Sequence, residues 1–198
     1  VDTSGNLSTN ASTVSIVIVA PSAPVVEYAI SGPNEVLTWN IPSSGFAVDR
    51  YEIWQGAAWG AGTFIGTTKG TSYTRKVDYV GSKTYWVAAI DAAGNAGTAG
   101  SKVTNITGPS EVTGLLVQTV DNNALIYWGA PATGTLPIDR YEVRKGATWA
   151  GGTVIGSNGN STFTTVFEQQ SGTYVYWVAA VDTAGNVGTQ SNKPTAIS

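Results

Sequence analysis

Asp, Arg, Tyr and Glu stand side by side twice in this 198-residue chain, as Asp49-Arg50-Tyr51-Glu52 and as Asp139-Arg140-Tyr141-Glu142. Two carboxylates, a cation and a phenol within four residues are raw material for acid–base catalysis. Strand alternation takes the set apart: in an extended segment Arg50 and Glu52 share one face and Tyr51 points to the other. What remains is a surface ion pair of small worth, not two carboxylates flanking a cleft as glycoside hydrolysis requires. The chain has no His and no Cys, so His- or Cys-based triads, thiolate chemistry and disulfides are excluded, and a zinc site would have to be all-oxygen. Gly-x-Gly patterns such as Gly60-Ala61-Gly62 lack the strand–turn–helix setting of a phosphate loop. The sequence thus names no catalytic residue, no cofactor and no metal ligand.

A second motif, Asp-x-x-Gly-Asn, occurs in "VDTSGNLST" (1–9), "IDAAGNAGT" (90–98) and "VDTAGNVGT" (181–189). One carboxylate supplies too few oxygens for calcium. A turn is the better reading: Asp91 accepts backbone N–H groups, and Gly94 takes a left-handed position that a side chain would resist.

The motif sets a period near 90 residues, from Asp2 to Asp91 to Asp182, and repeats decide a fold before local propensities do. Pro21 answers Pro109, Trp39 and Pro42 answer Trp128 and Pro131, and "VDRYEIWQGAAWGAGTFIG" (48–66) answers "IDRYEVRKGATWAGGTVIG" (138–156). "TYWVAAIDAAGNAGT" (84–98) answers "VYWVAAVDTAGNVGT" (175–189), and Lys102, Thr104 and Ile106 answer Lys193, Thr195 and Ile197. Two near-complete units result, 21–108 and 109–198. Residues 1–20 match the closing turn and last strand ("VSIVIVA", 14–20) of a preceding unit, so the array is expected to continue upstream. The join "ITGPSEV" (106–112) is short and carries Gly and Pro, which suits a stiff hand-over.

Within each unit Val, Ile, Thr, Tyr and Trp run in short stretches between Gly, Ser, Asn and Pro. Strands are expected near 24–30, 35–41, 48–55, 63–68, 72–77, 83–91 and 98–106, and near 112–119, 123–129, 138–145, 153–157, 161–167, 173–182 and 189–197. "PNEV" (33–36) and "DNNA" (121–124) read as hairpin turns. The fold class is all-β: tandem seven-stranded antiparallel sandwiches, immunoglobulin-like. A net charge of −3 and 12% charged residues exclude a nucleic-acid footprint, and no apolar stretch is long enough for membrane insertion as a helix. Four Asn-x-Ser/Thr sequons, at Asn6, Asn10, Asn105 and Asn160, reflect a chain rich in Ser and Thr.

The tryptophans are the best binding candidates. If Tyr85 and Val87 face the core, Trp86 faces outward, as does Trp177 between Tyr176 and Val178. Arg50, Glu52 and Trp54 share that outer face, as do Arg140, Glu142 and Arg144. Trp86 is therefore expected beside Trp54 or Arg50, and Trp177 beside Arg140 or Arg144. Trp59 and Trp149, in Gly-rich loops, are expected to fold back over the same sheet. Trp54, Trp59, Trp86, Trp149 and Trp177 form a candidate outer-face patch. Either they stiffen a disulfide-free module or they bind a glycan or protein; equivalents in both copies favour stiffening.

Trp39, Pro42, Tyr51, Ile53, Tyr85, Val87, Ala89, Ile90 and Asp91, with Trp128, Pro131, Tyr141, Val143, Tyr176, Val178, Ala180, Val181 and Asp182, form a pattern that resembles the fibronectin type III domain over the whole chain. The family's tyrosine corner, two residues before the core Tyr of the sixth strand, is matched by Tyr174 but is Lys83 in the first repeat. Val77 to Trp86 is also two residues shorter than Val166 to Trp177, so the turn before the sixth strand is expected to differ. The stretch "Y-E-[IV]-x-x-G-A-x-W-x-x-G-T-x-I-G" resembles modules of tailed-bacteriophage tail-tip and central-fibre proteins. That resemblance implies a non-enzymatic spacer in a virion tail. It also implies a homo-trimer, neighbouring modules of the same chain as partners, and a host-surface glycan or protein as receptor. The alternative is an accessory module of a secreted bacterial carbohydrate-active enzyme or surface adhesin, placed outside the cell.

Overall fold

The structure, a computed structural model, describes residues 19–168 and 170–198. The first unit contains β1 (Val26–Ser31), β2 (Asn34–Trp39), β3 (Val48–Gln55), β4 (Thr63–Thr68), β5 (Ser72–Lys76), β6 (Gly81–Asp91) and β7 (Gly100–Ile106). The second contains β8 (Thr113–Val120), β9 (Asn123–Gly129), β10 (Ile138–Lys145), β11 (Thr153–Asn158), β12 (Phe163–Phe167), β13 (Gly172–Asp182) and β14 (Ser191–Ile197). A sheet ordered β1-β2-β5 faces one ordered β4-β3-β6-β7, and β8-β9-β12 faces β11-β10-β13-β14; neighbouring strands are antiparallel throughout. These are two tandem seven-stranded antiparallel sandwiches, as the alternation and turns imply. Residues 1–18, with most of the strand expected over 14–20, lie outside the described residues.

Alternation builds each core. Leu37, Trp39, Tyr51, Ile53, Tyr85, Val87 and Ala89 turn inward in the first sandwich, and Ile126, Trp128, Tyr141, Val143, Tyr176, Val178 and Ala180 in the second. Each large apolar side chain so buried contributes about 1.5–3 kcal/mol. Trp39 meets the edge of Tyr51 at 5.3 Å, and Trp128 meets Tyr141 at 5.6 Å, a preferred aromatic geometry.

Hairpins form at both expected places, but the first turn is Gly32-Pro33 rather than 33–36, with Asn34, Glu35 and Val36 already in β2. Ser31 pairs Asn34 around Gly32-Pro33, with Gly32 at φ 58°. Val120 pairs Asn123 around Asp121 and Asn122, at φ 46° and 59°; two left-handed central residues make the turn that matches strand twist.

The register corrects one expectation. Tyr73 pairs Leu37 while Thr164 pairs Ile126, and Val77 N–H donates to Pro33 O (3.0 Å) where Glu168 N–H donates to Asn122 O (2.9 Å). Val77 therefore corresponds to Glu168, not to Val166, and the turn before the sixth strand has one length in both units. The two extra residues between Trp128 and Trp177 lie elsewhere: one in the loop before β10, the other between β11 and β12. What differs at the sixth-strand turn is chemistry. Tyr174 Oη donates to Gln170 O (2.9 Å), a tyrosine corner, whereas Lys83 reaches Asp78 (3.2 Å) and lies over the Tyr79 ring (4.0 Å).

Candidate functional site

On the outer face of the first sandwich β3 presents Trp54 directly across from Trp86 of β6. The Trp86 indole N–H donates to Gly56 O (2.9 Å). Gly56 lets the loop after β3 fold back, since a Cβ there would come within 2.7 Å of Gly62 Cα. The returning loop lays Trp59 5.7 Å from Trp54, and Phe64 of β4 closes the other side at 5.5 Å. The Trp54 indole N–H is buried and has no hydrogen-bond partner among the described residues.

The second sandwich keeps the frame and changes the centre. Trp177 faces Arg144 and donates to Gly146 O (2.8 Å). The Arg144 guanidinium stacks on Trp149 at 4.5 Å and bonds Trp149 O (3.0 Å) and Glu142 (2.6 Å). The structure thus unites Trp54, Trp59 and Trp86 in one cluster and joins Trp149 to Trp177 through Arg144; Trp54, Trp86 and Trp177 lie on the faces alternation assigned them, and the loops of Trp59 and Trp149 fold back over those faces. The indoles are half-buried, and Trp54 and Trp59 are tilted against each other at 60°; in the first cluster the exposed ring is Phe64.

The remaining motifs are occupied. Asp91 Oδ1 accepts from the N–H of Ala93 (2.9 Å) and Asn95 (2.8 Å), its Oδ2 takes the Asn95 side chain, and Gly94 sits at φ 88°. Those hydrogen bonds, the Asn95 side chain's first, hold Asp91 below the usual carboxylate range. Asp182 repeats the arrangement. In the Asp-Arg-Tyr-Glu sets, Arg50 pairs Glu52 (3.0 Å) and Arg140 pairs Asp139 (2.9 Å), while the tyrosines are buried. Among the described residues no three carboxylates converge as metal ligands.

Sequence reading missed a buried carboxylate in each sandwich. Glu35 of β2 is fully buried; it accepts from Tyr85 Oη (2.6 Å) and Tyr79 Oη (2.9 Å) and faces Arg75 Nε (3.5 Å). Glu168 accepts from Tyr176 Oη (2.8 Å) and Lys145 Nζ (2.8 Å). Desolvation, reinforced by the carboxylate, pushes the Tyr85 and Tyr176 hydroxyls well above their ordinary range. These tyrosines are donors, not bases. The signal was present for Glu35, which alternates with Leu37 and Trp39 on the core face.

No family model matches the chain. It is similar to exoglucanase B of Cellulomonas fimi, 30% identical over 187 residues and 87% of this chain, and to chitinase A1 of Niallia circulans, 27% identical over 193 residues and again 87% of this chain. The chain spans 16% of the first relative and 25% of the second. Among solved structures, a segment of two fibronectin type III domains from chicken tenascin aligns over 87% of this chain and 98% of its own length, with 17% identity and a TM-score of 0.43.

Proposed function

We propose that the chain supplies non-catalytic accessory modules of a secreted bacterial carbohydrate-active enzyme, holding domains outside it at a set distance and orientation. The observation that carries this reading is the pair of matches: nearly all of this chain aligns with a small part of an exoglucanase and of a chitinase. A unit common to enzymes of different specificity serves their reactions without determining the substrate. The geometry supports it, because the motif carboxylates are held in turns and ion pairs rather than across a cleft. The tail reading gains no support from these relatives, and the low charge and disulfide-free sandwiches suit either setting.

The test is excision from the parent polypeptide. A Gly/Ser linker of equal span in place of both modules is expected to leave turnover of a short soluble oligosaccharide unchanged and to lower turnover of insoluble polysaccharide several-fold. Equal rates on the insoluble substrate overturn the spacer role. Flanking domains of tail-fibre type in the parent gene overturn the enzyme setting.

A further inference from the structure

We propose that the upper end of the first sandwich, where Phe46 and Ala47 lie beside Ala92 and Ala93, is the docking surface for the lower end of a preceding module of the same repeat. This goes beyond the spacer reading and holds whatever enzyme or fibre carries the array.

The junction between the two sandwiches supplies the pattern. Val77 and Ile106, at the lower end of the first, enclose Leu136 from the loop before β10, with Tyr28, Ile30, Tyr79 and Ala184 packed around them. The strand-to-strand connection is pinned to that loop: Thr135 N–H donates to Thr107 O (3.0 Å), Ser110 N–H to Thr133 O (2.8 Å), and Thr107 N–H to Thr135 Oγ1 (2.8 Å). Leu136 is 4% exposed as a result.

The upper end of the first sandwich repeats the inserting half of this junction, the loop and the connection pinned to it. Phe46 N–H donates to Val19 O (3.2 Å) and Ser22 N–H to Ser44 O (3.1 Å), so residues 19–22 run against the loop before β3 as 107–110 run against the loop before β10. The close approach is built in at Gly45, φ 94°, where a Cβ would come within 2.6 Å of Pro21 Cα. This loop is one residue shorter than its counterpart: by its backbone hydrogen bond Phe46 stands at the position of Thr135, and Phe46 and Ala47 are the apolar side chains of this loop, as Leu136 is of the longer one. They border an open, mostly apolar hollow of about 270 Å³ with Ala92, Ala93, Asp91 and Asn95. Ala93 answers Ala184 in the repeat. Yet Phe46 is 49% exposed, against 4% for Leu136. An apolar tip with its connection already pinned, and the matching cluster absent among the described residues, fits a partner ending as the first sandwich ends. In sequence Ile18 stands where Ile106 stands, and residues 1–20 carry the repeat's closing motif.

Hydroxyl-radical footprinting tests this on the 198-residue chain and on the natural chain extended upstream by one repeat. Phe46 and Phe64 are each 49% exposed, so Phe64 serves as the internal control. In the longer chain labelling of Phe46 is expected to fall about tenfold, toward that of Leu136, with Phe64 unchanged. Phe46→Ser, which keeps the backbone bond to Val19 and lies outside the core clusters, is expected to broaden the longer chain's small-angle scattering distance distribution without unfolding a module. Equal Phe46 labelling in both chains overturns the proposal, as does an upstream sequence lacking the repeat. A concentration-dependent dimer of the 198-residue chain that Phe46→Ser abolishes also overturns it, because a second copy would then be the occupant.

Discussion

Tyr85 and Tyr176 occupy the same place in the two sandwiches, and each gives its hydroxyl to a buried carboxylate that comes from a different strand. In the first sandwich Glu35 on β2 accepts, Val77 stands after β5, and the cation is Arg75 of β5. In the second Ala124 takes the β9 position, Glu168 follows β12, and the cation is Lys145 of β10, where the first sandwich has Gln55. A buried phenol needs an acceptor, and a buried carboxylate needs a cation and further donors. The requirement is local, so acceptor and cation can move together to neighbouring strands. The choice has a consequence at the lower end. Moving the carboxylate to β2 leaves the position after β5 free for Val77, which with Ile30 and Tyr79 receives Leu136. The same positions in the second sandwich are Glu168, Thr119 and Gln170, a polar end.

Breaking the more deeply buried of the two networks is expected to cost most. Glu35→Leu takes the buried Tyr85 hydroxyl's acceptor away and removes one partner each from Tyr79, which keeps Thr104 (2.7 Å), and from Arg75, which keeps Asp78 (2.8 Å); the expected loss is about 2–4 kcal/mol. Glu168→Leu costs less, about 1–3 kcal/mol, because Lys145 is one-third exposed and turns to water. Amide exchange at Ile53 and Val143 reads each sandwich separately. Equal losses would mean that burial of the carboxylate does not set its worth.

Exchanging the arrangements sharpens the comparison. Glu35→Ala with Val77→Glu places a carboxylate where the second sandwich holds one, and Gln55→Lys adds the matching cation. The triple variant is expected to recover about half the loss from Glu35→Ala, by restoring one hydrogen bond to Tyr85 and its charge partner. It also puts a charge into the junction cluster around Leu136, so the sandwiches should reorient more freely by NMR relaxation. Full recovery with an unchanged junction would refute the claim that the β2 position serves the junction.

Alkaline unfolding probes the same phenols. Tyr85 and Tyr176 are raised chiefly by desolvation, and Tyr28 is pushed up to about 12 by burial. The unfolded chain releases these protons near pH 10 while the fold retains them. Stability is therefore whole below pH 10 and falls above it, by about 1.4 kcal/mol per pH unit for each retained proton. The first sandwich holds Tyr28, Tyr51, Tyr79 and Tyr85 in this state and the second Tyr141 and Tyr176. Exchange at Ile53 should accelerate more steeply than at Val143; parallel curves would contradict the burial difference.

Strands, turns and the inward aromatics were legible because period-two alternation and Gly and Asn punctuation are local. Residues such as Trp54 and Trp86 could be set side by side for the same reason. Glu35 was legible in principle, on the face of Leu37 and Trp39, but a carboxylate on a core face reads as an exception until its donors are in view. Those donors, Tyr79 and Tyr85, come from 44 and 50 residues away. The Val77–Glu168 correspondence was hidden because two single-residue insertions shift the repeat at separate loops, and a matching Val166 lay within reach of the wrong register. The junction was not legible at all, since Leu136 reads as one more loop residue until Val77 and Ile106 close around it.

The smallest expected effect concerns the turn before the sixth strand, where the two sandwiches have equal length and different chemistry. Tyr174→Phe keeps the ring, with Lys145 still 4.9 Å above it, and removes only the hydroxyl's bond to Gln170 O; the cost is about 1 kcal/mol. Lys83→Met keeps the aliphatic stem and removes an ion pair to Asp78, whose side chain is 62% exposed, and a cation–π contact with Tyr79. Screening by water holds that loss to about 0.5 kcal/mol. The expected order in urea midpoint shifts, each sandwich followed by its own exchange probe, is therefore Tyr174→Phe above Lys83→Met. The reverse order would mean that the lysine is a full replacement for the corner: a charge over an aromatic face would then order this turn as well as a hydroxyl bonded to a backbone carbonyl.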